Sequence, residues 1–283
     1  MKLATLKVGT KEKAALALED GYVLLETINN RIGENWKTNI LELIEANEVF
    51  ELASWYEREG KSILYDTEKI PSDSVRFAPL YRRPRKIWGV GLNYLETLPD
   101  PSEKYAPPVS FMKPDTSIIG YGDIIQIPEG STNTTAEAEL AIIIGKTCKN
   151  IEEIDAEDYI LGYTTSLDMT EADIHAENQR FLTRAKSFDT FFSFGPYLLI
   201  NEVDDVLGLE VETLLNGEVI HRNSIANMRY SPAYIVSYHS KVMTLLPGDI
   251  IITGTPGPVV IRNGDVVEAR ITHFPSLINQ VNE

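Results

Sequence analysis

The sequence predicts an α+β protein, with a small α+β unit over residues 1–78 and a curled, mixed β structure over residues 79–283. Three observations predict this. The first stretch carries one hairpin pattern followed by one helix pattern. From Ile87 onward, short apolar runs recur between Gly and Pro, and few helical repeats interrupt them. The 283 residues, 43% of them hydrophobic, suffice for a sizeable core in one large domain or in a small and a larger one.

In the N-terminal unit, Ala14-Ala15-Leu16-Ala17-Leu18 and Tyr22-Val23-Leu24-Leu25 flank Glu19-Asp20-Gly21 and read as a hairpin. A helix is expected from Asn39, with Glu42 in a capping arrangement. Its apolar positions Ile40, Leu43, Ile44, Phe50 and Tyr56 recur at helical spacing, and Gly60 is expected to end it. Pro79 to Lys86 reads as a solvated linker, although its basic residues could also form a phosphate patch. Strands are expected over 87–91, 139–144, 160–167, 197–200, 209–215 and 266–271. Asn216-Gly217 is a hairpin turn, because both residues tolerate positive φ. Ser231-Pro232 is a cap followed by proline at the first helical position, opening a helix to about Thr244.

Bulk properties exclude several functions. A net charge of −16 argues against nucleic acid, whose binding needs Lys and Arg on phosphates, and against an anionic membrane surface. No apolar run has the length of a membrane helix, and the start carries no secretory signal pattern. The single cysteine, Cys148, rules out an internal disulfide and a cysteine-based zinc site. Together these point to the cytoplasm. There is no P-loop, no G-x-G-x-x-G and no H-E-x-x-H, and the four histidines show no metal-ligand spacing.

The chemistry concentrates in three places. Glu137 and Glu139, ahead of the apolar run Leu140 to Ile144, face one side if the strand includes them. Two such carboxylates repel unless a cation lies between them. By spacing alone, a strand that starts later and leaves both in water is the commoner case. Asp168 ends another β-like segment, and three acidic oxygens from two strand ends could hold one face of an octahedral Mg²⁺. Lys186 could bind a substrate oxygen or stabilise an enolate beside such a metal. Thr253-Gly254-Thr255-Pro256-Gly257 resembles a turn whose glycines let an anion approach the backbone.

An ordered series of segments resembles the fumarylacetoacetate hydrolase superfamily. It runs through Gly91-Leu92-Asn93-Tyr94, Pro108 to Pro114, Glu137-Ala138-Glu139-Leu140, Ile144-Gly145-Lys146 and Gly162-Tyr163-Thr164 to Asp168. It continues with Lys186-Ser187-Phe188-Asp189-Thr190, Gly195-Pro196, Asn216-Gly217, Leu246-Pro247-Gly248-Asp249 and Thr253-Gly254-Thr255-Pro256. The resemblance implies a β-roll-like catalytic domain, usually dimeric, that binds a small 2-oxo acid. It implies Mg²⁺, with Mn²⁺ or Ca²⁺ as alternatives, on Glu137, Glu139 and Asp168, with Lys186 as the active-site lysine. It assigns Tyr94, Gly254 and Thr255 to the substrate. Reactions of such enzymes pass through a metal-chelated enol or enolate.

This sequence departs from the family pattern. Thr97 and Asp100 stand where many hydrolases and decarboxylases carry a water-activating His-Glu dyad, and Ala172, beside Glu171, replaces a common arginine. The loop after Thr255-Pro256 is short. Residues 173–178 with Leu182, Ala185 and Lys186 are similar to the 2-keto-3-deoxy-D-arabinonate dehydratase branch. The resulting expectation is a lyase or dehydratase acting on a 2-keto-3-deoxy sugar acid, with Lys186 or Glu96 moving the protons. Acylpyruvate-type C–C hydrolysis, oxaloacetate-type decarboxylation, isomerisation and a catalytically silent binding protein are the alternatives.

Overall fold

Alternating apolar residues and a short turn produce the expected N-terminal hairpin, formed by β2 (Lys11–Leu18) and β3 (Gly21–Leu24). The computed structural model describes residues 1–100, 102–103 and 105–283. A strand not singled out in the sequence, β1 (Lys2–Val8), pairs with β2, and helix α1 (Leu25–Ile32) follows β3 directly.

The long helix expected from Asn39 is divided. Asn39 does cap α2 (Ile40–Glu45), its side chain accepting from the N–H groups of Leu41 and Glu42. Asn47 then adopts φ 63°, which breaks the helix before α3 (Glu48–Trp55). Gly60 does not terminate it, because a π-helical turn over Tyr56–Gly60 leads into α4 (Lys61–Tyr65). Glycine is needed there for packing, since a Cβ would lie 2.8 Å from the Trp55 ring. The linker is not wholly solvated either. Tyr81 is buried, and Lys86 pairs at 2.7 Å with the fully buried Asp249.

The remaining strands are β4 (Ile87–Gly91), β5 (Val109–Lys113), β6 (Ile118–Ile119), β7 (Ile124–Gln126), β8 (Thr134–Ile144), β9 (Ile160–Glu171) and β10 (Phe192–Leu199). Then come β11 (Glu210–Leu215), β12 (Glu218–Ser224), β13 (Ile250–Ile252), β14 (Val259–Val260), β15 (Val266–Ile271) and β16 (Leu277–Asn282). Helices α5 (Ala172–Glu177) and α6 (Leu182–Lys186) join β9 to β10, and α7 (Pro232–Val242) is capped by Ser231 as its sequence predicts. The Asn216-Gly217 turn joins β11 to β12 with both residues at positive φ.

Eleven strands form one mixed sheet, nine of them along the path β3-β2-β1-β10-β9-β8-β13-β4-β5, with β14 paired to β8 and β6 to β10. Strand β6, five residues beyond β5, pairs back onto β10, so the path from β10 to β5 returns on itself as a roll. A five-stranded sheet, β12-β11-β15-β16-β7, packs against it. Alternation along β8 divides its side chains between two environments. Ala136, Ala138, Leu140 and Ile142 enter the core shared with Val211, Val267 and Leu277 of the smaller sheet. Ala141 and Ile143 face the other way, into a cluster with Ile40, Leu43 and Leu52 of the N-terminal helices. Glu137 and Glu139 lie on that second face, beyond the end of the helical cover. No helix among the described residues is long and apolar enough to cross a membrane.

One buried histidine ties α7 to the sheet. The backbone oxygen of Ile235 can only accept, so His239 donates to it from Nδ1, and Nε2 accepts from Ser110 Oγ at 2.9 Å. Burial lowers the His239 pKa below its ordinary 6.5. The unfolded chain therefore binds the proton more readily, and stability present above about pH 6.5 is lost as pH falls through the folded-state value. A His239→Gln variant is expected to be less stable at about pH 7.5, yet to lose less stability on going to about pH 5.5. Urea midpoints at the two pH values decide this, and equal losses in both proteins would refute it.

Candidate metal and active site

The register between β8 and β9 brings the acidic residues together: Glu137 lies opposite Asp168, and Glu139 opposite Ser166. One ligand oxygen from each of Glu137, Glu139 and Asp168 falls within a 4.8 Å group. Both glutamates lie within β8, Glu139 2% exposed and the Glu137 side chain 15%, so the alternative that leaves both in water does not hold, and Asp168 is fully buried. Burial pushes the Glu139 carboxyl well above its usual range, and the charges of Asp168 and Glu137 add to the effect.

Lys186, at the end of α6, closes the group. Its Nζ donates to Glu137 Oε2 at 2.7 Å and to Asp168 Oδ2 at 2.5 Å, and lies 4.7 Å from the centre of the Phe111 ring. Burial by itself would depress this ammonium, but Asp168, Glu137 and Glu139 together hold it above its ordinary value. A second lysine, unremarked in the sequence except as part of a motif, lies beneath. Lys113 at the end of β5 donates to Asp168 Oδ1 at 2.6 Å, to the Met169 carbonyl at 3.3 Å and to the Lys186 carbonyl. Its side chain is fully buried. The signal available was its alternation with buried Phe111, which turns it toward the same face.

The expected substrate residues occupy different situations. Tyr94 follows β4, and its hydroxyl is buried without a hydrogen-bond partner among the described residues. Burial, with the Glu139 charge, raises its pKa well above the ordinary tyrosine value, so it remains a proton donor. Gly254 does not offer its N–H to open space, because that N–H donates to Glu139 Oε2 at 2.6 Å. It also requires glycine, having φ +97° and room for no Cβ, which would lie 2.9 Å from Asn93 Cβ. Thr255 is half-buried, and its hydroxyl is engaged with Gly257. Glu96 and Thr97 are exposed, and Glu96 makes no hydrogen bond to the cluster among the described residues.

Asn93, also unassigned from the sequence, is fully buried and fastens these loops together. Its Nδ2 donates to the carbonyls of Thr253 at 2.8 Å and Tyr230 at 3.1 Å, while its Oδ1 accepts from the Tyr230 N–H. Tyr94 and Gly254 are thereby placed on either side of one satisfied amide.

The donors suit a hard divalent ion: three carboxylates converge with no sulfur or imidazole among them. Two ammonium groups against three carboxylates leave one unit of negative charge, which a divalent ion reverses, favouring an anionic ligand.

Comparison with known proteins agrees with this arrangement. Residues 86–282 match the fumarylacetoacetate (FAA) hydrolase C-terminal family. A mitochondrial oxaloacetate tautomerase from Xenopus laevis is 35% identical over 239 residues, covering 78% of this chain and 73% of its own. A 5-carboxymethyl-2-hydroxymuconate delta-isomerase from Mycobacterium smegmatis is similar at TM-score 0.79 and 28% identity, over 100% of this chain and 98% of its own. A maleylpyruvate hydrolase from Sphingobium sp. SYK-6, in complex with manganese(II) and pyruvate, is similar at TM-score 0.81 and 25% identity, over 100% and 99%. With its mixed α+β fold and this match over most of its length, the chain belongs to the fumarylacetoacetate hydrolase family.

Proposed function

We propose that this chain is a divalent-cation-dependent enzyme that carries a small 2-oxo acid through its enolate. The observation behind it is Lys186 held between Glu137 and Asp168, beside buried Glu139, at a site whose described residues include no histidine. A divalent ion on Glu137, Glu139 and Asp168, Mg²⁺ by expectation with Mn²⁺ or Ca²⁺ as alternatives, would supply electrophilic polarisation of the substrate's oxygens. Lys186 carries a proton at Nζ and is placed to steady negative charge on a substrate oxygen. Tyr94 offers a second donor through its unpartnered hydroxyl. Thr255, at the half-buried rim, is assigned to the substrate carboxylate.

Exposed Thr97 and Asp100 provide no imidazole to activate water. We therefore place proton-moving reactions ahead of C–C hydrolysis. Tautomerisation or isomerisation needs only removal and return of a proton next to the carbonyl. Dehydration of a 2-keto-3-deoxy sugar acid adds loss of a hydroxyl from the same enolate. The related tautomerase and isomerase support this order, whereas the related maleylpyruvate hydrolase supports the alternative. A homodimer or higher homo-oligomer in the cytoplasm completes the proposal.

The test is proton NMR in D₂O with Mg²⁺ or Mn²⁺ and a panel of oxaloacetate, acylpyruvates and 2-keto-3-deoxy pentonates and hexonates. Enzyme-dependent exchange at carbon 3, isomer formation or elimination of water supports the reading. Pyruvate released from an acylpyruvate would replace it with hydrolysis. Activity that persists in EDTA would overturn the role of the metal, and silence with Mn²⁺ bound would leave a binding protein.

A further inference from the structure

We infer that Lys113 is a positioning residue and the fixed counter-charge of the carboxylate group, limiting how tightly that group takes a divalent ion. This rests on the metal-dependent reading above. Lys113 cannot touch substrate, because its side chain is fully buried behind Asp168. Each proton of its ammonium has an acceptor: Asp168 Oδ1, the carbonyl of Met169 and the carbonyl of Lys186. One group thus locks three parts of the site. It fixes the Asp168 carboxylate so that Oδ2 turns toward Glu137 and Lys186. It anchors the end of β9, and it anchors the main chain of the lysine that faces the substrate.

Its charge has a separate effect. The Lys186 side chain is 9% exposed and lies on the open side of the carboxylates, whereas the Lys113 side chain has no exposed surface and, among the described residues, no other carboxylate in ion-pair contact. Lys186 can turn toward an incoming anion; Lys113 stays. A positive charge held against one oxygen of Asp168 repels a cation approaching the other, in a setting where little water screens it. The site therefore binds its ion more weakly than three free carboxylates would, in return for an Asp168 held in place.

The deciding experiment titrates Mn²⁺ alone into metal-free protein, following free Mn²⁺ by electron paramagnetic resonance. Lys113→Gln removes the charge and keeps a donor toward Asp168. Lys113→Met removes both and serves if the glutamine variant does not fold. Circular dichroism establishes folding first. The expected result is one Mn²⁺ site bound about tenfold more tightly than in wild type, the order expected when a nearby buried charge is removed. A residue that merely supported the structure would, when replaced, loosen Asp168 and weaken Mn²⁺ binding. Weaker or unchanged binding by a folded variant overturns the inference, as does failure of both variants to fold, which would make Lys113 a core residue. If wild type itself binds no Mn²⁺, the metal-dependent reading has failed instead.

Discussion

Glu139→Gln is expected to abolish divalent-cation binding and turnover together while raising the stability of the metal-free protein. Glutamine retains the shape and can still accept from the Gly254 N–H, so the loop after β13 stays in place. What disappears is one of three negative ligands. Losing a supporting contact already costs about 10- to 100-fold in metal affinity, and losing a ligand itself should cost at least as much. The gain in stability follows from the raised Glu139 pKa. A carboxyl whose folded-state pKa exceeds its unfolded value contributes fully below about 4.5, and the contribution is lost as pH rises through the folded value. At about pH 8 the metal-free variant should therefore melt above metal-free wild type, and the order should reverse when Mn²⁺ is added. Calorimetry with and without Mn²⁺ checks this; a variant that still binds Mn²⁺ with wild-type affinity would refute the assignment of Glu139.

Lys186→Met should produce the opposite pattern. Turnover is expected to fall by about a thousandfold, within the range lost with a positioned proton donor, while Mn²⁺ binding persists because all three carboxylates remain. The metal-free variant should be destabilised by about 3–5 kcal/mol, the usual cost of removing one partner from a buried ion pair. Lys186 is raised by its neighbours, so its contribution is fully present below the ordinary lysine value of 10.5 and absent only above the folded one. The deficit should accordingly be constant through neutral pH and be recovered when Mn²⁺ is added. Retained turnover with normal metal affinity would remove Lys186 from the chemistry.

What could be read in the sequence was local. β15 was expected at its observed bounds, and the Asn216-Gly217 turn and the Ser231 cap depend only on residues a few positions apart. β8 and β9 were seen, but β8 begins five residues earlier than expected and β9 runs four further, because their polar ends are held by pairing with each other. β1 pairs with neighbouring β2 as well as distant β10 and was not singled out, and α1 was missed because Leu24 gives it no side-chain cap. The boundary expected near residue 78, from a hairpin and helix pattern followed by a linker, falls within a sheet that continues from β3 to β5. In the site, the spacing of Glu137 and Glu139 gave their common face. Their meeting with Asp168 depends on register, and the place of Lys113 on the return of β5 to β9, neither of which a single sequence displays. Glu96, offered as a carboxylate able to move a proton, lies exposed on the loop after β4.

The pairing of β1 with β10 also bears on how the molecule is made. Lys2 ends up opposite Leu199, so the chain must close a loop of nearly two hundred residues to complete that ladder. Such distant pairing slows folding, because the entropy of closure is lost before the contacts repay it. On a ribosome, β1 emerges well before β10, and until then one of its edges stands open. β9, which carries Asp168, likewise waits for β10 on one side. Until β10 is in place, the species with these open edges is the one most exposed to edge-to-edge aggregation.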